Sequence, residues 1–186
     1  MSMTITLSVA GTGSALLLRP WRFDDLPALV AAHRDPELRR RLSTSLTDAA
    51  QARQWLDRQA DGWAAADRFS FAVVTDTDDR TPRGHVVVTV TTAGVAEVGY
   101  WTAAHARKQG VAARALETVS RWALETQDMV SLTRLDLFHT AANEASCRVA
   151  IKCGYSLRDL LPAAPPAFPA SGHRHVRTSD RDLVRP

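Results

Sequence analysis

Between Val95 and His139 the hydrophobic period changes twice, and this constrains the fold of the 186-residue chain more than any other feature. Segment 95–102, with valines and two aromatics, has the composition of a strand. From Gly110 onward Ala112, Ala115, Leu116, Val119, Trp122 and Ala123 recur at three- and four-residue intervals, which predicts an amphipathic helix over 110–127. Segment 132–139 then returns as a strand. Two strands joined by a helix in one sheet make a right-handed crossover with parallel pairing, so the chain is α/β.

The flanks extend this unit. Segment 16–20 reads as a first strand ending at Pro20, after which Asp24 is placed to cap a helix carrying Leu26, Leu29 and Val30, with Pro36 breaking it. A second helix over 47–66 stacks Ala52, Trp55, Leu56, Gln59 and Trp63, and the intervening Arg39 to Arg41 read as a solvated connector. Strands over 69–75 and 84–92, with a Gly94 hairpin into 95–102, form a meander. A fourth helix spans 143–153, ended by Gly154 as a left-handed cap, and a strand follows over 155–160. Segment 161–172 holds four prolines and is excluded from helix interiors and central strands; a short last strand lies near 174–178. The expectation is one domain over 1–186 with its core at about 16–160, followed by a proline-rich loop and C-terminal strand over 161–186.

Composition narrows the partners. Hydrophobic residues make up 45% of the chain, enough for a sizeable core, and a net charge of +3 is too small for a dedicated nucleic-acid surface. A pI near 9.3 favours a small anionic ligand instead. Cys147 and Cys153 are nearly two helical turns apart and cannot bridge, which fits a reducing compartment, and no apolar run reaches membrane-spanning length. A soluble cytoplasmic protein without membrane or nucleic-acid partner, monomeric or homodimeric, is expected.

The stretch Arg107-Lys108-Gln109-Gly110-Val111-Ala112 joins the strand to the helix. A glycine there lets a ligand approach the backbone, and the free N–H groups of the first turn, including those of Val111, Ala112 and Ala113, then face it. A diphosphate suits such a cradle. The R-x-x-G-x-A spacing, the preceding Gly99-Tyr100-Trp101-Thr102, and the later Asn143-Glu144-Ala145-Ser146-Cys147-Arg148-Val149-Ala150-Ile151-Lys152-Cys153-Gly154-Tyr155 together resemble the GNAT superfamily of N-acetyltransferases, RimJ/RimL-type branch. The resemblance implies the GNAT fold, a mixed central sheet flanked by about four helices. It also implies acetyl-CoA as co-substrate and a primary amine as acceptor (a protein N-terminus or a small molecule); the cysteines and histidines themselves give no support for a metal, and none is expected.

The resemblance further implies cofactor contacts from Arg107, Lys108, Gln109, Gly110, Val111, Ala112 and Ala113, from the backbone of Tyr100, Trp101 and Thr102, and from Asn143. Lys108 stands where the family favours glycine, which stiffens the loop but offers an ammonium to the 3′-phosphate. Ala150 stands where many members carry the tyrosine that protonates the leaving thiolate, so Ser146 becomes the candidate proton donor; its structural alternative is a serine bonded to a helix carbonyl. Glu97 is the candidate general base, though a regular strand turns it one residue out of phase and a β-bulge is needed to restore it. His139 or a water relay is the alternative. His173 and His175, beside Arg174 and Arg177, read as a solvated basic strand rather than a metal-ligand pair, and segment 161–172 with Phe168 as a wall of the acceptor pocket. A longer acyl donor such as succinyl-CoA, and a catalytically idle acyl-CoA-binding sensor, are the competing functions.

Overall fold

A computed structural model describes residues 5–9, 15–42, 44, 46–166 and 169–179. Eight strands, β1 (Leu7–Val9), β2 (Leu16–Pro20), β3 (Arg68–Thr75), β4 (Gly84–Thr92), β5 (Gly94–Thr102), β6 (Leu132–Thr140), β7 (Ser156–Leu161) and β8 (Gly172–Thr178), form one sheet in the order β1-β2-β3-β4-β5-β6-β8-β7. Only β5 and β6 run parallel, so the sheet is mixed, as the crossover requires. Among the described residues five α-helices flank it: α1 (Leu26–His33), α2 (Pro36–Arg39), α3 (Ala49–Ala65), α4 (Val111–Arg121) and α5 (Glu144–Lys152).

Alternate residues of β5 divide the core. Ala96 and Val98 point into a cluster with Leu116 and Val119 of α4 and with Phe69, Phe71, Val86 and Val88, whereas Trp101 joins Leu29, Trp55 and Leu56 from α1 and α3 on the other face. On α4 the buried positions are Val111, Ala113, Ala115, Leu116, Val119 and Ser120, so the expected Ala112 is instead half-buried at the helix's open end. The helix predicted to run to 127 widens at Trp122–Thr126 into a π-turn, closed by Gln127 N–H on the Trp122 carbonyl at 3.0 Å.

Several expectations need correction. Pro36 does not simply break a helix: it occupies the first turn of α2, where its missing N–H costs nothing, and Asp35 caps the Glu37 N–H. Asp24 is not the first helix's anchor. Asp25 is buried and forms a bidentate pair with buried Arg19, 2.8 Å on both arms, and also accepts the Arg22 N–H. Strand β1 was not expected. Strand β8 is longer than expected and interior, pairing β6 from Arg134↔Thr178 to Thr140↔Gly172 on one side and β7 on the other. His173 and His175 are therefore not on a solvated edge. Among the described residues no helix is long and apolar enough to cross a membrane.

Candidate active site

The parallel ladder between β5 and β6 runs only from Gly94↔Leu132 to Glu97↔Asp136. Beyond it the two strands part, yet each keeps its outer neighbour: β5 stays paired with β4 as far as Thr102, and β6 with β8 as far as Thr140. A cleft of about 680 Å³ opens in the gap, lined by residues from Val98 to Thr102, Leu137 to Thr140, the loop before α4, the start of α5, and α2. Backbone groups on the facing edges lack a ladder partner there, and an extended chain carrying amides fits that need.

The wall at the cleft's end is the loop into α4. Lys108 (φ 59°) and Gly110 (φ 72°) are both left-handed, and a Cβ built on Gly110 meets nothing within 4 Å. The first helical bond runs from Arg114 N–H to the Gly110 carbonyl, and no side chain caps the helix, so the N–H groups of Val111, Ala112 and Ala113 point outward. An anionic diphosphate fits this open turn. Lys108 adopts the backbone of the glycine it replaces, at about 1–2 kcal/mol. Two side chains of the loop are engaged elsewhere, which leaves Gln109 only its backbone N–H for the diphosphate. The Arg107 guanidinium is bound by Asp35 and, at 2.9 Å, by Glu37, so it ties α2 to the loop and is not free for a phosphate. The Gln109 side chain turns aside, accepting from Arg83 at 2.9 Å and donating to the His105 carbonyl.

At the start of α5 a polar network converges. Asn143 caps the helix, its Oδ1 accepting the Ser146 N–H at 3.3 Å and Arg41 at 2.7 Å. Ser146 Oγ accepts from Asn143 Nδ2 and from the Tyr100 hydroxyl, each at 3.1 Å. With two donors on its oxygen, the serine's own hydrogen is left to point elsewhere, and Ser146 lines the cleft. Among the described residues its hydroxyl makes no bond to a helix carbonyl, the structural alternative. Burial pushes the Tyr100 phenol above its ordinary pKa, the Ser146 bond opposing, so it stays a donor at neutral pH. The Tyr100 side chain and Arg41 were missed from the sequence. Arg41 is an exposed connector residue, and it also bridges Glu37 and Asn143 across the cleft's rim.

Glu97 sits at the apex, in the last pair before the strands part, and the irregularities of β5 fall at Gly94/Val95 and opposite Val90/Thr92, so no bulge turns it into the cleft. Partial desolvation raises its carboxyl above the ordinary range, Asp136 adding and Arg68 opposing. The Trp101 indole packs in the core at 5.8 Å from the His85 ring and 6.1 Å from Trp21, and the residue also lines the cleft. Cys153 is buried and its thiol is pushed up to about 11 by burial, hence unreactive. His139 lines the cleft. No described residue of 161–172 lines it, and Phe168 lies outside the described residues.

The geometry has counterparts. Mycobacterium smegmatis RimJ in complex with CoA-disulfide superposes with a TM-score of 0.81 at 17% identity, covering 97% of this chain and 90% of that one. RimL, a ribosomal-protein α-N-acetyltransferase in complex with coenzyme A, gives 0.79 at 16% identity, with 93% and 98% covered. MccE, a microcin C7 self-immunity acetyltransferase in complex with acetyl-CoA and AMP, gives 0.75 at 12% identity, with 88% and 92% covered. At these identities the likeness speaks for the fold. No curated protein sequence matches the chain significantly. The acetyltransferase (GNAT) domain model, however, matches residues 15–156, most of the sequence and all of the cleft, and the chain therefore belongs to the GNAT acetyltransferase family.

Proposed function

We propose that this enzyme moves the acetyl group of acetyl-CoA to the α-amine at a protein N-terminus. The observation that carries this reading is the placement of Ser146, its oxygen held by two donors, beside the gap where β5 leaves β6 and opposite the open first turn of α4. Acetyl-CoA supplies the activated thioester. The N–H groups of Val111 to Ala113 hold its diphosphate, each charge-assisted bond contributing about 1.5–3 kcal/mol, and the cations Lys108, Arg148 and Lys152 line the same cleft. Inner-edge backbone of Tyr100 to Thr102 orients the thioester arm and supplies a donor for the carbonyl oxygen. Ser146 gives its proton to the departing sulfur, and the Tyr100 hydroxyl stands behind it to restore that proton.

The carboxylates near the cleft support this acceptor class. Among the described lining residues the one carboxylate is Glu37, and it is bound to Arg41 and Arg107. Glu97 is adjacent but turned out of phase. An α-amine with pKa near 7.8 is roughly one-third neutral at pH 7.5, whereas a lysine near 10.4 is neutral about once in a thousand, so a site with a weak base suits the former. The α-N-acetylation of a ribosomal protein by RimL is consistent with this choice. A second reading, an acyl donor ending in a carboxylate such as succinyl-CoA, draws on Arg41 beside Asn143.

Thiol release tests both. The protein is mixed with acetyl-CoA or succinyl-CoA and with peptides bearing a free N-terminus, the same peptides blocked but containing lysine, or small amines, and products are read by mass. Acetylation of free N-termini in preference to lysine is expected. Equal rates on blocked lysine peptides would overturn the acceptor assignment, and coenzyme binding without thiol release from any mixture would make the domain an idle sensor.

A further inference from the structure

Four side chains that the sequence scatters meet on the face of the sheet beneath α5. The antiparallel register sets His139 of β6 directly against His173 of β8, and His175 two residues along projects to the same face. Arg174 between them turns to the other face, where it binds Asp136 at 3.2 Å and Asp159 at 2.8 Å. The three imidazole rings lie 5.1–6.1 Å apart, centre to centre. Cys147, on the face of α5 that meets β6, brings its Sγ to 3.7 Å from His175 Nε2. One ligand atom from each of the four residues lies within 4.8 Å of all the others.

Hydrogen bonding leaves this cluster unfinished. His139 Nε2 and His173 Nδ1 are buried without a partner. Such orphaned nitrogens cost about 1–3 kcal/mol each. His139 Nδ1 is spent on the Thr140 carbonyl at 2.8 Å, which fixes the tautomer and turns the Nε2 lone pair toward the other three, the usual support of a metal-bound histidine. No carboxylate takes part, so a hard oxygen-seeking cation is disfavoured and three imidazoles with one thiolate match a zinc-class ion.

We propose that His139, Cys147, His173 and His175 form a four-coordinate site for zinc(II). Tetrahedral bonds of about 2.0–2.3 Å place ligand atoms about 3.3–3.7 Å apart, so the contact between Cys147 and His175 is already at that spacing and the widest pair closes by about 1 Å through side-chain rotation. The Cys147 thiol loses its proton to solvent as the metal–sulfur bond forms. Four protein ligands leave no open position, so the ion acts as a staple and not as a Lewis acid. What it staples is α5 to the β6–β8 pair, one residue from Ser146. This assignment does not depend on the acyl acceptor or donor.

The test uses the full chain, freed of any polyhistidine tag and stripped of metal, titrated with cobalt(II) and then zinc(II). One equivalent of cobalt should produce a thiolate-to-metal band in the near ultraviolet with intense visible bands of tetrahedral coordination, and zinc should displace it one for one. Cys147→Ser should erase the near-ultraviolet band, and His139→Gln should weaken zinc affinity by at least about 10-fold. Both residues are half-exposed, and circular dichroism of the metal-free variants checks the fold. Wild-type protein that takes up neither metal, that gives the weak spectrum of six-coordinate cobalt, or whose uptake survives unchanged in both variants would overturn the proposal, and the wild-type spectrum decides even if a variant misfolds.

Discussion

Gly110→Asp separates the cradle from the rest of the cleft, because its cost to the fold and its cost to binding can be worked out independently. Gly110 has φ 72°, where a side chain costs about 1–2 kcal/mol, and no atom lies within 4 Å of the position its Cβ would take. The new carboxylate would stand at the cap of α4 and accept the free N–H groups itself, returning about 0.5–2 kcal/mol. The variant should therefore unfold within about 1–2 kcal/mol of wild type in urea, a small part of a typical 5–15 kcal/mol. Binding should fare far worse. The same N–H groups can no longer serve a diphosphate, and two lost charge-assisted bonds at about 1.5–3 kcal/mol each raise the Kd for coenzyme A by at least about 100-fold, before like-charge repulsion is counted. Gly110→Ala carries the same backbone strain without the charge and should stay within about 10-fold of wild type. Calorimetry with coenzyme A reads all three proteins. A folded Gly110→Asp that binds within a few-fold of wild type would refute the cradle.

Ser146→Ala should lower kcat by about 100-fold, the lower end of what a general acid contributes, with coenzyme A affinity unchanged; an unaltered single-turnover rate would reduce Ser146 to a packing residue. Tyr100→Phe removes only the bond to Ser146, about 0.5–1.5 kcal/mol, and should cost kcat about 2- to 12-fold, while a loss as large as that of Ser146→Ala would make the phenol the donor itself. Lys108→Gly relieves a left-handed lysine (φ 59°) and should leave stability in urea unchanged or raised by up to about 1 kcal/mol; a clear loss would mean that its side chain holds the loop. His85 accepts the Trp21 indole N–H at Nδ1, and burial presses its pKa down to about 3 from 6.5. Since the folded value is the lower one, its contribution is intact above about pH 6.5 and is lost as pH falls toward 3, with a slope approaching about 1.4 kcal/mol per pH unit. The stability difference between wild type and His85→Gln should shrink with that slope on acidification, and a pH-independent difference would contradict it.

What could be read from the sequence was local. The period change from Val98 through Leu116 to Leu135 set the parallel crossover, and Asn143, three residues before Ser146, announced a helix cap that the structure confirms. The contacts that were misread depend on chain segments far away. Arg107 reads as a phosphate ligand from its place in the R-x-x-G-x-A loop; its partners Glu37 and Asp35 lie 70 and 72 residues away in sequence, in the first turn and at the cap of α2, a helix that the sequence reading does not contain. The histidines 173 and 175 looked solvated because a short polar strand after a proline-rich loop reads as an edge, and only its insertion between β6 and β7 gives them His139 and Cys147 as neighbours. Tyr100 was placed for its backbone alone. Whether its ring reaches Ser146 depends on how far β5 stands from α5, which no spacing encodes.

That insertion also explains how the cleft can exist before any ligand arrives. Splitting a sheet ordinarily exposes two edges, but here β5 keeps β4 through Thr102 and β6 keeps β8 through Thr140, so each half is complete on its outer side. Only inner-edge groups beyond Glu97 and Asp136 lack a ladder partner, and in an open cleft water satisfies them at little cost. A bound chain of amides that replaces this water gains about 0.5–1.5 kcal/mol per bond, so the gap is held ready and not forced open. Hydrogen exchange reads this directly. Within 98–102, amides facing β4 should be protected with or without coenzyme A, whereas the alternate amides facing the gap should exchange freely alone and slow when coenzyme A is added. Equal protection of both sets in the free protein would mean that β5 and β6 close on one another in solution, and binding would then have to open the sheet.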